Sequence, residues 1–294
     1  MKGCIKMIDS VMNKDKNILV FGATGFLGKE LLKRLKKEGY ENVTAFSRNE
    51  GKLIELKQQY PFLEIVPGDI SDKFEVYQAM KGKHYVFHLA AFKHVGLAEK
   101  YSRECIKSNL VGSLNILECS VELKPNFIIT TSTDKAAKVN GVYGATKFLV
   151  EELFSQFELS NKQTKYRVVR YGNVLYSTGS VLCKWKELIL ENKPLIITDP
   201  EATRFFWNVS EAIDLIFSCL RESVDSSPFC PDMKSMAMGD LLEAMILKYS
   251  NGIRPEVKVI GLQSGENKHE KILKDGPSSA EVEKFSIEEI MELI

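Results

Sequence analysis

Two short segments of the sequence place two acid/base couples close together along the chain. Asp134 and Lys135 form the first couple, and Tyr143 and Lys147 form the second. A helix would bring Tyr143 and Lys147 onto one face, where the ammonium lowers the phenol's pKa and lets tyrosinate act as a base. Alcohol oxidation needs only this second couple. The Asp134–Lys135 couple therefore indicates further proton transfers on the same molecule.

A glycine-rich turn has the pattern of a dinucleotide-binding site. Its glycines have GxxGxxG spacing and lie between an apolar run and a helical pattern. Such glycines let the backbone approach a pyrophosphate, whose charge the helix N-terminus favours, although they could instead serve helix packing alone. The predicted cofactor contacts of this turn are Gly22, Thr24, Gly25, Phe26, Leu27 and Gly28.

The residues after the second and third predicted strands bear on the choice of cofactor. An NAD site places an acidic residue about 20 residues beyond the glycine turn, whereas this chain has Ser47 and Arg48. A hydroxyl and a guanidinium can hold a 2'-phosphate, so NADP is favoured over NAD; the arginine could also be a solvated surface residue. Asp69 and Ile70 are predicted to flank the adenine, while aspartate is also common in ordinary turns.

Alternating strand and helix patterns must position these residues. Apolar runs at 17–22, 43–46, 63–66 and 85–89 alternate with helical patterns at 26–38, 52–60 and 73–80. A longer helical pattern at 104–123 is followed by a strand pattern at 127–131, a helix that runs to 159 and a strand pattern at 167–171. This alternation predicts right-handed crossovers and an α/β fold with a Rossmann-like, doubly wound parallel sheet.

The alternation fades after residue 172, which predicts a smaller C-terminal substrate-binding lobe. We expect a frayed leader at 1–15, an NADP-binding Rossmann domain at 16–172 and the lobe at 173–294. Residues 227–231 could return a strand to the sheet. No internal repeat interrupts this organisation.

The composition argues against several classes of function. A net charge of +1 gives no general electrostatic drive toward nucleic acid or a membrane surface. Six scattered cysteines without a Cys-x-x-Cys pair favour reduced thiols, and the sequence has no pattern of metal ligands. No apolar run has the length of a transmembrane helix, and the first residues are too charged for a signal peptide. We therefore expect a cytoplasmic enzyme without a metal.

Several short motifs follow one another along the chain in a characteristic order. They are 91–95 (AFKHV), 132–137 (STDKAA), 143–147 (YGATK), 170–174 (RYGNV), 197–200 (ITDP), 203–205 (TRF), 265–266 (GE) and 269–270 (HE). With these motifs, residues 18–272 resemble the extended short-chain dehydrogenase/reductases and, within that group, the UDP-N-acetylglucosamine 4,6-dehydratases of the pseudaminic-acid and capsule pathways. Lys135 stands where dehydratases of dTDP-glucose have glutamate, as in the N-acetylglucosamine group.

The resemblance implies a mechanism in which a UDP-hexosamine binds against NADP. Tyr143 would remove the proton of the 4-hydroxyl, while Lys147 stabilises the phenolate and holds the nicotinamide ribose. Thr133 would hydrogen-bond the 4-oxygen. Lys135, if neutral, would abstract the hydrogen of carbon 5, and Asp134, if protonated, would donate to the departing 6-hydroxyl. Without the family match, Asp134 and Lys135 could be a surface ion pair.

Further contacts are predicted at the end of the 85–89 strand, where the carboxyl edge of a sheet meets its ligands. Ala90, Ala91 and Lys93 are expected to contact the cofactor, and Lys93 also the substrate. His94, which follows, is assigned no role.

The UDP contacts are implied by the resemblance. Asn173 resembles the family's diphosphate-contacting residue, and Val181 offers a backbone amide to uracil by analogy. Arg204 can bind phosphate oxygens bidentately, but it could also be a solvated arginine. Thr198 and Glu266 complete the predicted substrate-binding set.

Departures from the family pattern leave alternatives open. The chain reads QSGEN at 263–267 where the family has RPGEK, and KV at 138–139 where it has NP. Membrane-anchored relatives that retain carbon 5 have methionine in place of Tyr143, so this chain resembles the soluble enzymes that invert carbon 5. The alternatives are a 5,6-dehydratase, a 4-epimerase and a protein that senses NADP without turnover.

By resemblance, helices 104–123 and 142–159 would pair in a homodimer or higher homo-oligomer.

Overall fold

The computed structural model describes residues 11–263 and 265–294, and the chain divides into two compact units. Residues 1–10 of the predicted leader and Ser264 of the 263–267 segment lie outside the described residues. The first unit contains the described residues up to Ser132, Gly141–Arg170 and Ile213–Phe229. The second unit contains Thr133–Asn140, Tyr171–Ala212 and Cys230–Ile294.

Six strands form the parallel sheet of the first unit, which confirms the predicted Rossmann-like fold. They are β1 (Ile18–Phe21), β2 (Val43–Ser47), β3 (Glu64–Pro67), β4 (Tyr85–His88), β5 (Phe127–Thr133) and β6 (Lys165–Tyr171). Their spatial order is β3-β2-β1-β4-β5-β6. The order reverses between β1 and β4, and ligands of such sheets bind at this switch point beyond the carboxyl ends of the strands.

The helices of the first unit follow the predicted alternation with one exception. Up to residue 160 they are α1 (Phe26–Lys37), α2 (Glu50–Gln59), α3 (Lys73–Met80), α4 (Val95–Lys100), α5 (Ser102–Ile106), α6 (Gly112–Leu123) and α7 (Val142–Ser160), and most of a later helix, Val209–Glu222, also belongs to this unit. The helix predicted at 104–123 is not one regular α-helix, because a π-helical turn, Lys107–Val111, joins α5 to α6. Single π turns of this kind often lie at functional sites. Here the turn contains the buried side chain of Asn109.

Two segments outside the regular elements also pack on the first unit. In the described part of the leader, Met12 is buried and the Asn13 N–H donates to the Tyr85 hydroxyl at 3.0 Å. In the segment considered as a returning strand, Phe229 forms a parallel bridge with Val169, and its N–H donates to the Val168 carbonyl at 2.9 Å.

The second unit has its own core between small sheets and helices. One sheet contains β7 (Asn173–Val174), β9 (Thr203–Trp207) and β10 (Ser235–Ala237); another pairs β8 (Leu195–Ile197) with β11 (Val257–Val259) in parallel. The remaining helices of the chain are α8 (Val181–Leu190), α9 (Val209–Glu222), α10 (Met238–Tyr249) and α11 (Ile287–Leu293). None of the helices in the described part of the chain combines the length and apolar character needed to cross a membrane.

Candidate active site

The glycine turn between β1 and α1 is built so closely that side chains would not fit. Gly22 has a φ of +81°, and a Cβ there would lie 2.6 Å from the Ala90 backbone nitrogen. A Cβ on Gly28 would lie 2.4 Å from the Gly22 carbonyl oxygen. The Gly25 N–H closes the turn by donating to that same oxygen at 2.9 Å. Helix packing thus accounts for Gly28, while the turn still presents the backbone at the N-terminus of α1, where a pyrophosphate fits.

The predicted ribose residues at the end of β2 are connected both to this turn and to Asp69. Thr24 and Ser47 share a hydrogen bond of 2.6 Å between their hydroxyls, which joins the turn to the end of β2. Asp69 is close enough to Arg48 for their charges to interact. Although partial burial acts to raise it, the pKa of Asp69 is lowered by hydrogen bonds from Ser71 and by the charges of Arg48 and Lys107. An exposed arginine at this position leaves a cation available for a phosphate.

Ile70 has a packing role in the structure. Its side chain is buried against Gly112, where a Cβ would lie 2.5 Å from the Ile70 Cδ1 atom. Its carbonyl accepts a hydrogen bond of 3.0 Å from the Asn115 amide. Ile70 therefore anchors the end of β3 to α6, and a contact with adenine remains a prediction.

Asn109 is a residue of this site that sequence reasoning missed. Its amide nitrogen donates to the Phe92 carbonyl at 3.0 Å and to the Thr146 hydroxyl at 3.1 Å, and its amide oxygen accepts from the Phe92 N–H at 2.6 Å. Thr146 in turn donates to the Tyr143 carbonyl at 2.8 Å. Asn109 thus ties the loop that carries Ala90, Ala91 and Lys93 to the first turn of α7. The available signal in the sequence was an asparagine within the helical pattern at 104–123.

Tyr143 and Lys147 lie in the first two turns of α7, on one face. Lys147 is buried, and its ammonium donates to the Thr131 carbonyl at 2.9 Å. Burial lowers the pKa of Lys147 to about 8, against the opposing influence of Glu151 and Cys105. This lysine thus gains or loses its proton close to neutral pH.

His88 lies at the end of β4 near Lys147 and is a structural residue. Its imidazole shares a hydrogen bond of 2.8 Å with the Ser113 hydroxyl, and the ring is buried. Burial, reinforced by the charge of Lys147, lowers the pKa of His88 to about 3. The ring is therefore neutral at physiological pH and does not supply a cation. His94 is exposed at the start of α4.

The Asp134–Lys135 couple belongs to the second unit, where β5 ends and a 3-10 turn begins. Asp134 is 1% exposed, and its Oδ1 atom accepts from the Thr133 hydroxyl at 2.8 Å and from the Lys135 ammonium at 3.1 Å. The other carboxylate oxygen, Oδ2, is buried and has no hydrogen-bond partner among the described residues. This cluster is not the solvated surface ion pair that was the alternative.

Glu270 is a second residue that sequence reasoning left without a role. Its carboxylate is 2% exposed and lies 3.7 Å from the Lys135 ammonium. Burial acts to lower the pKa of Lys135, but Asp134 and Glu270 outweigh it and raise that pKa above its ordinary value. Lys135 is therefore an ammonium, and it becomes the neutral base of the predicted mechanism only after it has given up a proton.

Arg204 is a predicted substrate residue that lies beside this cluster. Its guanidinium donates to the backbone carbonyls of Thr203 and Lys268, both at 2.9 Å, and its Nε atom is 4.0 Å from the Glu270 carboxylate. The arginine is therefore held in place by the second unit and is not the freely solvated side chain of the alternative.

The other predicted substrate residues have structural contacts of their own. Asn173 uses its amide to donate to the Phe205 carbonyl at 3.3 Å, and Glu266 accepts from the Gln263 N–H at 3.1 Å within its own turn. Val181 is the first residue of α8, and Thr198 follows β8. Their contacts with a substrate remain predictions.

The second unit also has a cavity of about 430 Å³ that is lined by other residues. Phe205, Pro231, Ile272 and Val282 are among its lining residues, and the predicted substrate residues are not.

Comparisons with known proteins place the chain in a family. The model of a family described as polysaccharide biosynthesis protein matches residues 18–292. An uncharacterized membrane protein of Methanocaldococcus jannaschii is 36% identical over 95% of this chain and 85% of its own length. The inverting UDP-N-acetylglucosamine 4,6-dehydratase of Campylobacter jejuni is 37% identical over 88% of this chain and 78% of its own length.

A solved structure supports the same placement. Pen from Bacillus thuringiensis has a TM-score of 0.88 and 29% identity, and the match covers 95% of this chain and 96% of that one. The resemblance drawn from the order of the motifs is thereby confirmed. The chain belongs to the polysaccharide biosynthesis protein family, within the short-chain dehydrogenase/reductases.

Proposed function

We propose that the protein is an NADP-dependent UDP-N-acetylglucosamine 4,6-dehydratase that inverts carbon 5. The observation that carries this proposal is the buried Thr133–Asp134–Lys135 cluster, because its acid/base couple exceeds what alcohol oxidation requires. The similarity to the Campylobacter jejuni dehydratase supports the same substrate.

The first unit supplies the residues for oxidation at carbon 4. Bound NADP+ would supply the hydride acceptor for oxidation at carbon 4 and, once reduced, the hydride donor for carbon 6. The close-fitting glycine turn suits its pyrophosphate, and Ser47 with Arg48 suits its 2'-phosphate. Tyr143 removes the 4-hydroxyl proton, and the positive charge of Lys147 favours the resulting phenolate. Thr131, through its carbonyl, keeps Lys147 in place.

The second unit supplies the residues for elimination of water. Lys135 starts as an ammonium and passes a proton to Asp134 along the 3.1 Å hydrogen bond between them. Asp134 then donates that proton to the departing 6-hydroxyl, and the neutral Lys135 takes the hydrogen of carbon 5. Water leaves, and Lys135 is again an ammonium. Inversion follows when carbon 5 receives its new proton from water on the opposite face, while Tyr143 returns its proton to solvent.

Arg204 is the group we assign to the diphosphate. Its guanidinium is oriented by two backbone carbonyls and retains donors for phosphate oxygens. Asn173, Val181, Thr198, Glu266 and Lys93 complete the proposed substrate contacts.

Incubation of the purified protein with UDP-N-acetylglucosamine in deuterated water, followed by NMR of the product, tests this proposal. We expect a 6-methyl signal, deuterium at carbon 5 and inverted configuration there. Absence of the methyl rejects the dehydratase, and an unchanged carbon 5 rejects inversion. Olefinic signals would indicate a 5,6-dehydratase, and a galacto product a 4-epimerase.

The cofactor is tested separately on the purified protein. We expect chromatography of the nucleotide released by denaturation to show NADP, and Arg48→Glu to shift the preference of refilled protein toward NAD. Release of NAD alone from the wild-type protein would contradict the assignment of Ser47 and Arg48. Bound NADP without any conversion of the sugar would indicate the sensing protein.

A further inference from the structure

Four charged groups of the second unit form a cluster shielded from solvent. The side chains of Asp134, Lys135, Glu270 and Arg204 are 1%, 20%, 2% and 11% exposed. Two carboxylates face two cations, so the cluster is neutral as a whole. Burial of these charges would be costly if any of them lacked an opposite charge nearby.

Glu270 stands between the two cations. Its Oε1 atom is 3.7 Å from the Lys135 ammonium and 4.0 Å from the Arg204 Nε atom. Both separations exceed the roughly 2.7–2.9 Å of a charge-assisted hydrogen bond. The carboxylate thus interacts with both cations without being bound tightly to either, and a small movement would bring it onto one of them.

The backbone and a neighbouring amide hold Glu270 at this place. Its N–H donates to the Ser279 hydroxyl at 2.9 Å, and its carbonyl accepts from the Ser279 N–H at 2.7 Å. The Asn267 amide donates to the Oε2 atom at 3.2 Å. Oε2 is therefore engaged with a neutral group, and Oε1 remains directed to the cations.

A purely structural ion pair looks different in this protein. Glu151 and Arg170 of the first unit are similarly buried, and they make a bidentate pair in which the Arg170 Nε atom is 3.0 Å from the carboxylate. Glu270 makes no such close contact with Lys135 or Arg204. Its geometry suits a charge that is shared and redistributed.

We propose that Glu270 is a positioning residue that links the protonation of Lys135 to the presence of an anionic substrate group on Arg204. The link rests on the proposed function in assigning Lys135 to elimination and Arg204 to the diphosphate. A diphosphate on Arg204 cancels a positive charge that repels the Lys135 ammonium, and it leaves the Glu270 carboxylate to Lys135. Substrate binding then keeps Lys135 protonated. This proton is the one that Lys135 passes to Asp134 and that Asp134 donates to the departing hydroxyl.

The charges that face Lys135 agree with this direction. Asp134 and Glu270 favour its ammonium form, whereas Arg204 and burial disfavour it. Removal of the Glu270 charge therefore lowers the proton affinity of Lys135, and neutralisation of Arg204 raises it.

The test is an NMR titration of the full-length protein labelled with ¹³C at the lysine ε carbon, with and without UDP as the anionic probe. The Lys135 signal is assigned by its loss in Lys135→Ala. We expect Glu270→Gln to lower the titration midpoint of Lys135 by about one pH unit or more. We expect UDP to raise the midpoint in the wild-type protein and to have less than about half that effect in Glu270→Gln.

Controls separate this link from a structural role. Glu281→Gln removes a carboxylate from the segment that contains Ser279, where Glu281 accepts a hydrogen bond from the nearby Ser278 N–H, and should leave the Lys135 midpoint unchanged. Glu270→Asp keeps the charge and should restore most of the midpoint. Asn267→Lys adds a cation beside Glu270 without removing it, and should also lower the midpoint, so the proposal stays testable if Glu270→Gln does not fold.

The outcomes distinguish this link from the proposed function. An unchanged Lys135 midpoint in the folded Glu270→Gln or Asn267→Lys variant, or an undiminished response to UDP in Glu270→Gln, overturns the link even if the wild-type protein dehydrates UDP-N-acetylglucosamine. A lowered midpoint with a reduced UDP response supports the link even if that sugar is not converted, and in that case only the proposed function fails.

Discussion

Lys147 in the first unit and Lys135 in the second are both largely buried lysines, but their surroundings differ in charge. Lys147 donates to one backbone carbonyl, and burial lowers its pKa to about 8. Lys135 faces Asp134 and Glu270, and these carboxylates raise its pKa despite burial. The same side chain thus has a lowered pKa at one site and a raised pKa at the other, which suits the proposed roles of Lys147 beside a phenolate and of Lys135 as a proton carrier.

The largest expected effect distinguishes the two lysines by chemistry. Lys135→Ala should reduce the rate of elimination by at least about 10³-fold, because it removes the group that exchanges protons with Asp134 and carbon 5. Binding of NADP, measured by fluorescence titration, should be unchanged because the glycine turn is intact. Lys138→Ala, a change of a nearby exposed lysine, is the matched control and should retain full turnover. Undiminished elimination in Lys135→Ala would remove this residue from the mechanism.

A second comparison concerns stability. Lys135→Met removes the cation that lies near both the buried Asp134 and the buried Glu270 carboxylate, so we expect it to lower the free energy of unfolding by about 3 kcal/mol. Lys147→Met loses one hydrogen bond to Thr131 and relieves a buried charge, so its cost should be about 1 kcal/mol or less. Urea denaturation followed by circular dichroism measures both. Equal costs would show that the carboxylates do not distinguish the two sites.

The smallest expected effect is the pH dependence of that stability. A lysine in the unfolded chain has a pKa of about 10.4, whereas Lys147 in the folded protein has a pKa of about 8. The unfolded chain therefore binds more protons between these values, and Lys147 makes stability rise with pH. Lys135 has a raised pKa in the folded protein. Its contribution to the free energy of unfolding is therefore present below about pH 10.4 and is lost only above that pH.

Denaturation at about pH 7 and about pH 9.5 measures this difference. Relative to Lys147→Met, the wild-type protein should gain about 1 to 2 kcal/mol over that range, whereas relative to Lys135→Met it should change little. The same slope relative to both variants would contradict the opposite shifts of the two lysines.

The sequence predicted the parts of the site that depend on local patterns. The glycine turn, the alternation of strands and helices along the chain and the helix that begins at Val142 follow from spacing and apolar periodicity, because each is determined by residues adjacent in the chain. The sequence did not predict the π-helical turn at Asn109, because the hydrogen bonds from the Asn109 amide to Phe92 and Thr146 depend on tertiary packing.

Glu270 shows why the charges of the site were harder to predict. It lies far along the chain from Lys135, and the local pairing of Thr203 with His269 places it next to Arg204. The sequence identified Lys135 as a base if neutral and paired it with Asp134; the structure adds Glu270, and the two carboxylates together keep Lys135 an ammonium.

The most direct test of the division between the two lysines is a single-turnover reaction of Lys135→Ala with UDP-N-acetylglucosamine, followed by the absorbance of reduced nicotinamide. We predict that reduced cofactor accumulates without release of water, because Tyr143 and Lys147 still oxidise carbon 4 while elimination fails. Lys147→Met should show little reduced cofactor under the same conditions. Elimination by Lys135→Ala at the wild-type rate, or a failure of that variant to reduce the cofactor, would contradict the account.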